Sequence, residues 1–328
     1  MLPMRDEHVT TLSAMESDSL ALAVDVGGTK MAACLVQSDG RLIGSQTIPT
    51  ADGSAEDVWQ PLATLVREIA ARADRPLLGV GVGTAGPLDL AGGTVSPVNI
   101  AGWREFPLAR RLAEVLPGVP VRMAGDGICA AVGEHWRGAA REVDDVIVLV
   151  VSTGVGGGII QRGRLVTGRT GNAGHIGHTV VDLGGDPCPC GGRGCVEALA
   201  SGPSMVSYAV RNGWVGSSAV ELADAARAGD KVANQAFERA GHAVAAGIIS
   251  ASALCDLTAA VIGGGVSHAA DLLFPPLKRA LEEHGKLGFL RDIEISTAAL
   301  GSSAGLVGAG ALVFEPERYP SAARLVHV

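Results

Sequence analysis

Apolar runs of strand length alternate with helical periodicities from one end of the chain to the other. Leu20 to Val26 is apolar apart from Asp25, gives way to Gly27-Gly28-Thr29-Lys30, and resumes as Met31 to Val36. Two such runs around a glycine pair predict a strand, a tight turn and a returning strand. Val58, Leu62, Leu65, Val66 and Ile69 then recur at helical spacing, with Pro61 early enough in that helix to be tolerated. Leu77 to Val82 predicts a buried strand ending in Gly83-Thr84-Ala85-Gly86-Pro87. Val146 to Val151 begins a second copy of the opening unit: an apolar strand, a glycine turn over Ser152 to Gly158, and then Ile159-Ile160. Two strand–turn–strand units predict an internal duplication facing a common cleft. Arg169 to Gly202 is rich in Gly and Pro without a period, an unusually long loop unless something cross-links it. Lys231 to Cys255 predicts a long helix through Phe237, Val244, Ile248 and Leu254, and Ala304 to Phe314 a last one. A strand over Thr258 to Ile262 runs into Gly263-Gly264-Gly265. The alternation points to α/β architecture.

Length and composition narrow the picture. The 328 residues fit two lobes of ordinary domain size, and 47% hydrophobic against 18% charged residues leaves ample material for their cores. Aromatics make up only 3%, which argues against a stacking surface for single-stranded nucleic acid. With 26 basic and 34 acidic residues the net charge is -8, so nothing attracts a phosphate backbone. The longest aliphatic run, Val146 to Val151, falls far short of the roughly 20 residues a bilayer span needs. Residues 1–19 carry Asp6, Glu7, Glu16 and Asp18 without an apolar stretch, so they are expected to form a flexible tail rather than an export signal. The expected compartment is therefore the cytoplasm, with neither membrane nor nucleic acid as a partner. In that setting three cysteines packed into Cys188 to Cys195, out of six in all, favour a metal over disulfides.

The three glycine turns carry the candidate chemistry. Adjacent glycines in Asp25-Val26-Gly27-Gly28-Thr29-Lys30 let backbone N–H groups face a phosphate, and Thr29 and Lys30 add a hydroxyl and a cation. Asp25 can hold Mg²⁺ directly or through water. Taken alone, this is as readily an ordinary hairpin turn. Ser152, Thr153, Gly154 and Gly156 would supply hydroxyls and N–H groups from a second side, and a flat adenosine could lie on the bare backbone of Gly263, Gly264 and Gly265. No turn is a Walker or dinucleotide fingerprint, but three in this order after strands form a pattern. Cys188, Cys190 and Cys195 with an upstream histidine, His175 or His178, make a donor set suited to tetrahedral structural zinc. Asp126, between a strand over Val121 to Met123 and a helix through Ala130 to Trp136, reads on its own as a helix cap. Cys34, Cys129 and Cys255 fit core positions, and Trp103 fits either packing or closure over a substrate loop.

From about residue 20 to about residue 315 the sequence resembles the ROK family of sugar kinases and repressors, within the actin/hexokinase/Hsp70 ATPase superfamily. Asp25 to Lys30 is similar to the family's first phosphate turn, Ser152 to Gly157 to the second, and Ile262 to Val266 to the adenosine turn. Gly171 to His178, followed by Cys188 to Glu197, resembles the sugar-and-zinc segment, and Asn99 to Trp103 a sugar-side loop. The resemblance implies a two-lobed ribonuclease-H-like fold with ATP·Mg²⁺ between the lobes, and a homodimer or higher homo-oligomer. The lobes are expected at 20–123, with 312–328 packing back on it, and at 124–311, with a zinc-stapled loop at 169–202. The resemblance also makes Asp126 the general base, favours His178 over His175 for zinc, and makes Asn99, Gly125, His175, His178 and Glu197 substrate contacts.

Two positions depart from the family. Gly125 stands where an Asn is usual, and His175 where a Glu is usual, so hydrogen bonds to ring hydroxyls must be rearranged. The expected activity is an ATP-dependent kinase acting on the primary hydroxyl of a hexose-like substrate, such as a valiolone-type C7-cyclitol. Glucose or an N-acetylhexosamine is the alternative acceptor. A repressor would need a winged helix, for which too few residues precede the first turn. A sugar-sensing pseudokinase would have no need of Asp126.

Overall fold

The computed structural model describes residues 19–321. The expected flexible tail lies outside the described residues save for Ser19, and so do residues 322–328. Two compact units are present. Unit 1 runs to Arg137 and adds Thr167–Ala173 and the chain from Ser303 onward. Unit 2 comprises Gly138–Val166 and Gly174–Ser302.

Unit 1 is built on β1 (Leu20–Val26), β2 (Lys30–Val36), β3 (Leu42–Pro49), β4 (Leu77–Thr84) and β7 (Val121–Gly125), in the order β3-β2-β1-β4-β7. Residues 20–24 and 26 of β1 are buried, as a strand covered on both faces must be. The β1–β2 and β2–β3 pairs are antiparallel, and β1–β4 and β4–β7 are parallel. A short hairpin, β5 (Leu88–Asp89) with β6 (Thr94–Val95), lies between β4 and α2 (Leu108–Val115). Helix α1 (Ala55–Ala70) starts at a capping box in which Ser54 and Asp57 bond reciprocally, and it buries the expected stripe of Val58, Leu62, Leu65, Val66 and Ile69. Pro61 sits in its second turn rather than its first, so the helix tolerates one missing N–H bond there.

Unit 2 repeats the plan. Strands β8 (Val146–Val151), β9 (Val155–Gln161), β10 (Arg164–Leu165), β11 (Ala259–Gly263) and β12 (Glu294–Thr297) take the order β10-β9-β8-β11-β12. The pairing sequence of antiparallel, antiparallel, parallel, parallel is that of unit 1. The duplication expected from the two glycine turns is thus present in the strand topology. Around this sheet lie α4 (Val196–Ala200), α5 (Gly202–Arg211), α6 (Ala219–Arg227), α7 (Lys231–Cys255) and α8 (Ala270–His284). The long stretch expected to be loop from Arg169 to Gly202 ends in α4 and contains a single 3₁₀ turn at Ile176–His178.

The last helix, α9 (Ala304–Phe314), belongs to unit 1. It crosses α3 (Asp126–Arg137) at a glycine contact. A Cβ at Gly308 would overlap the Cys129 carbonyl, and one at Gly133 the Ala304 carbonyl. Neither helix can part from the other without losing this approach. Both α3 and α9 lie in unit 1, which runs to Arg137 and resumes at Ser303. Beyond α9, the Ser321 carbonyl accepts from the Met123 N–H of β7, and the buried Tyr319 hydroxyl is 2.9 Å from His135 Nδ1. Among the described residues no helix is long and apolar enough to cross a membrane.

Candidate active site

In unit 1 the first glycine turn is held from outside itself. The Gly27 N–H donates to the Lys30 carbonyl at 3.0 Å, closing the turn. Thr50, just past β3, donates its hydroxyl to the Gly27 carbonyl at 2.7 Å and its N–H to the Thr29 carbonyl at 3.0 Å. Thr29 and Lys30 are exposed, and their side chains are available to a ligand. Gly28 touches the Asn99 loop so closely that a Cβ there would stand 2.5 Å from Asn99 Cβ. That loop is itself fastened by Arg104, whose Nη1 donates to the carbonyls of Pro97, Ile100 and Trp103. Trp103 is fully buried, stacks on Phe106 at 4.3 Å and donates Nε1–H to the Ala55 carbonyl. It packs the loop from beneath.

Asp25 and Asp126 stand at the ends of β1 and β7, the two strands that flank β4. Burial, then the charge of Asp126, pushes the Asp25 carboxyl up from 3.8 to about 6, against the opposing pull of Lys30. Such a carboxyl gains from a nearby cation. Gly305 at the start of α9 presents bare backbone here; even a Cβ would be 3.6 Å from Asp25 Oδ2. Asp126 opens α3 and accepts from the Gly127 N–H at 2.7 Å through Oδ1. One oxygen therefore does the capping, and the carboxylate retains further acceptor capacity. At Gly125 a Cβ would meet nothing nearer than Ile128 at 3.5 Å, so the missing side chain leaves room.

In unit 2 the second turn is shorter than the sequence suggested. It spans residues 152–154, closed by the Ser152 N–H on the Gly154 carbonyl at 2.8 Å, while Gly156, Gly157 and Gly158 already lie in β9. Ser152 Oγ would be 3.4 Å from a Cβ on Gly265, which brings the second and third turns together. Gly264 has φ +88°, where an L side chain is strained, and a Cβ there would overlap the Val151 carbonyl. Beside this turn lies a largely apolar recess lined by Met205, Ala223, Phe237, Gly265 and Val266, with Arg227 and His268 at its wall. Glu197, in α4, accepts from the Val155 N–H at 2.9 Å. His175 and His178 are exposed, with ring centroids 6.4 Å apart.

The ligating atoms of His178, Cys188, Cys190 and Cys195 all lie within 4.8 Å of one another. Cys190 Sγ is 3.9 Å from Cys195 Sγ, and Cys188 Sγ is 3.7 Å from His178 Nδ1. With Zn–S near 2.3 Å and Zn–N near 2.0 Å, a tetrahedral site has edges of about 3.8 and 3.5 Å. The four donors fit zinc. The loop bearing them is tied by Asp186, which accepts from Arg211 and Arg239 at 2.7 Å each.

Of the expected core cysteines, Cys34 and Cys129 are buried, whereas Cys255 is only half-buried at the end of α7. Thr50, Arg104 and Gly305 were not singled out by the sequence. Each works through a backbone or carboxylate partner that no periodicity announces.

The ROK family profile matches residues 21–315. The chain is 33% identical to the glucokinase of Thermotoga maritima, over 90% of this chain and 97% of that protein. It is 35% identical to the N-acetylmannosamine kinase of Shigella boydii serotype 18, over 89% of this chain and 97% of that one. The crystal structure of a ROK family glucokinase from Streptomyces griseus, in complex with glucose and AMPPNP, matches with a TM-score of 0.77 and 34% identity, covering 90% of this chain and 99% of that one. Both the sequence match and the architecture span nearly the whole chain, and the fold is the actin-like ATPase fold of ROK sugar kinases. The chain belongs to the ROK family.

Proposed function

We propose that the chain is an ATP-dependent carbohydrate kinase that phosphorylates the primary hydroxyl of a hexose-like substrate. The observation that carries this reading is the placement of Asp25 and Asp126 at the ends of β1 and β7, beside a turn whose hydroxyl and ammonium groups face solvent. Asp126 accepts the proton of the attacking hydroxyl as the γ-phosphoryl group leaves ADP, so that alcohol and ATP become phosphomonoester, ADP and a proton. Asp25 would hold Mg²⁺, which neutralises charge on the β- and γ-phosphates when bound. Gly27, Gly28, Thr29 and Lys30 would contact phosphates, and Ser152, Thr153 and Gly154 are assigned the same role within their own turn. The apolar recess at Gly265 and Val266 receives the base. His178, Cys188, Cys190 and Cys195 would hold a structural zinc that staples the loop carrying His175.

Gly125 and His175 favour an acceptor whose hydroxyl pattern differs from that of glucose, for which a C7-cyclitol with an exocyclic CH₂OH is the leading candidate. Leaving a buried polar group unpaired costs about 1–3 kcal/mol, so two altered contacts impair glucose by one to several powers of ten. A second reading, glucose or an N-acetylhexosamine, draws on the named activities of the two relatives. Steady-state kinetics on glucose, mannose, N-acetylmannosamine and valiolone-type cyclitols separates the two. The cyclitol is expected to give the highest kcat/KM, with Gly125→Asn plus His175→Glu shifting preference toward glucose. Glucose as the best substrate, unimproved by that pair, would contradict the altered-pocket reading.

A further inference from the structure

Glu197 joins the 152–154 turn to the cysteine cluster. Its Oε2 accepts from the Val155 N–H at 2.9 Å, immediately after the 152–154 turn. Gly154 leaves room for that oxygen: a Cβ there would be 2.7 Å from Oε2. The other oxygen, Oε1, is 4.0 Å from Cys188 Sγ. Helix α4, which carries Glu197, is bracketed in the same way. Cys195, one of the four metal donors, is the residue on which it starts, and at its far end the Gly202 N–H donates to the Ser152 carbonyl at 2.8 Å. A five-residue helix has little stability of its own; Val196, Leu199 and Ala200 bury it in the unit 2 core, and these two attachments tie its ends.

We propose that Glu197 is a positioning residue through which metal occupancy at His178, Cys188, Cys190 and Cys195 fixes the 152–154 turn and thereby sets nucleotide affinity. Binding of the metal anchors Cys195 and Cys188, α4 is held in place, and Glu197 and Gly202 pin the turn from both of its ends. The claim rests on the reading of that turn as a nucleotide contact, and the test separates the two.

Binding of Mg²⁺·AMPPNP and hydrogen exchange of the Val155 amide are measured on zinc-loaded and zinc-stripped full-length protein, wild type and variants. Zinc removal should raise the Kd about tenfold and speed Val155 exchange, and Glu197→Ala should do both with zinc bound. Glu197→Gln keeps an acceptor and should stay within about threefold of wild type. Gly154→Ala, which leaves every side chain of the cluster in place, should weaken AMPPNP like Glu197→Ala. Unchanged Kd and exchange in zinc-stripped protein, or in Glu197→Ala and Gly154→Ala, would overturn the proposal. So would a Glu197→Ala effect confined to the KM of the sugar-like acceptor. Failure of zinc-loaded wild type to bind AMPPNP at all would instead remove the nucleotide reading on which the proposal stands.

Discussion

Gly28 and Asn99 lie against each other so closely that the smallest side chain at position 28 would stand 2.5 Å from Asn99 Cβ. The obstructing atom is the root of the asparagine, not its flexible end, so relief requires the 97–103 loop to move. Arg104 holds that loop by three carbonyls. The first glycine turn and the 97–103 loop therefore share one clearance. Gly28→Ala is expected to raise KM for both ATP and the acceptor by about tenfold or more, with the melting temperature little changed. A rise in only one KM would show that the two sites are independent.

Burial of the Asp25 carboxyl costs stability. That group titrates near 6 in the folded chain and near 3.8 unfolded. Between those values the folded state binds more protons, so unfolding free energy falls as pH rises through this window. A rise from 3.8 to about 6 corresponds to a penalty of about 3 kcal/mol once pH exceeds 6. Asp25→Asn should thus raise the melting temperature of ligand-free protein at pH 8, with the gain shrinking toward pH 4, and should abolish Mg²⁺-dependent nucleotide binding. A variant no more stable than wild type at pH 8 would show that the carboxylate is not strained.

The cluster gives a simpler expectation. One zinc per chain should be found by elemental analysis of protein purified without chelators, and stripping it should lower the melting temperature by about 5 °C or more. Cys190→Ser should reproduce most of that loss, since it removes one of four donors. Zinc-free protein with full stability would contradict a structural metal.

Much of this architecture is written locally. The β1–turn–β2 unit, the 231–255 helix and the 304–314 helix were legible because apolar period and boundary residues agree within each segment. The Cys188–Cys195 cluster was legible because its three thiol donors lie close together in the sequence. What escaped depends on contacts distant in sequence. Gly156 to Gly158 looked like turn, but Gly157 is a strand residue made small by the approach of the Val148 carbonyl and Ile176. The Gly133 and Gly308 crossing joins residues far apart in the chain and has no local signal. Thr50 closes the first turn from beyond β3, at a position where a threonine is unremarkable.

The central claim is phosphoryl transfer from ATP with Asp126 as the base, and product analysis tests it most directly. Wild-type protein, Mg²⁺·ATP and the best acceptor from the panel are followed by ³¹P NMR alongside ADP release. Equal amounts of ADP and a phosphomonoester on the exocyclic CH₂OH are expected. Asp126→Asn, which keeps the cap to the Gly127 N–H, should lower turnover by at least about a hundredfold while AMPPNP binds as in wild type. ADP formed without a phosphorylated acceptor, no turnover on any acceptor, or near-normal turnover in Asp126→Asn would contradict the account.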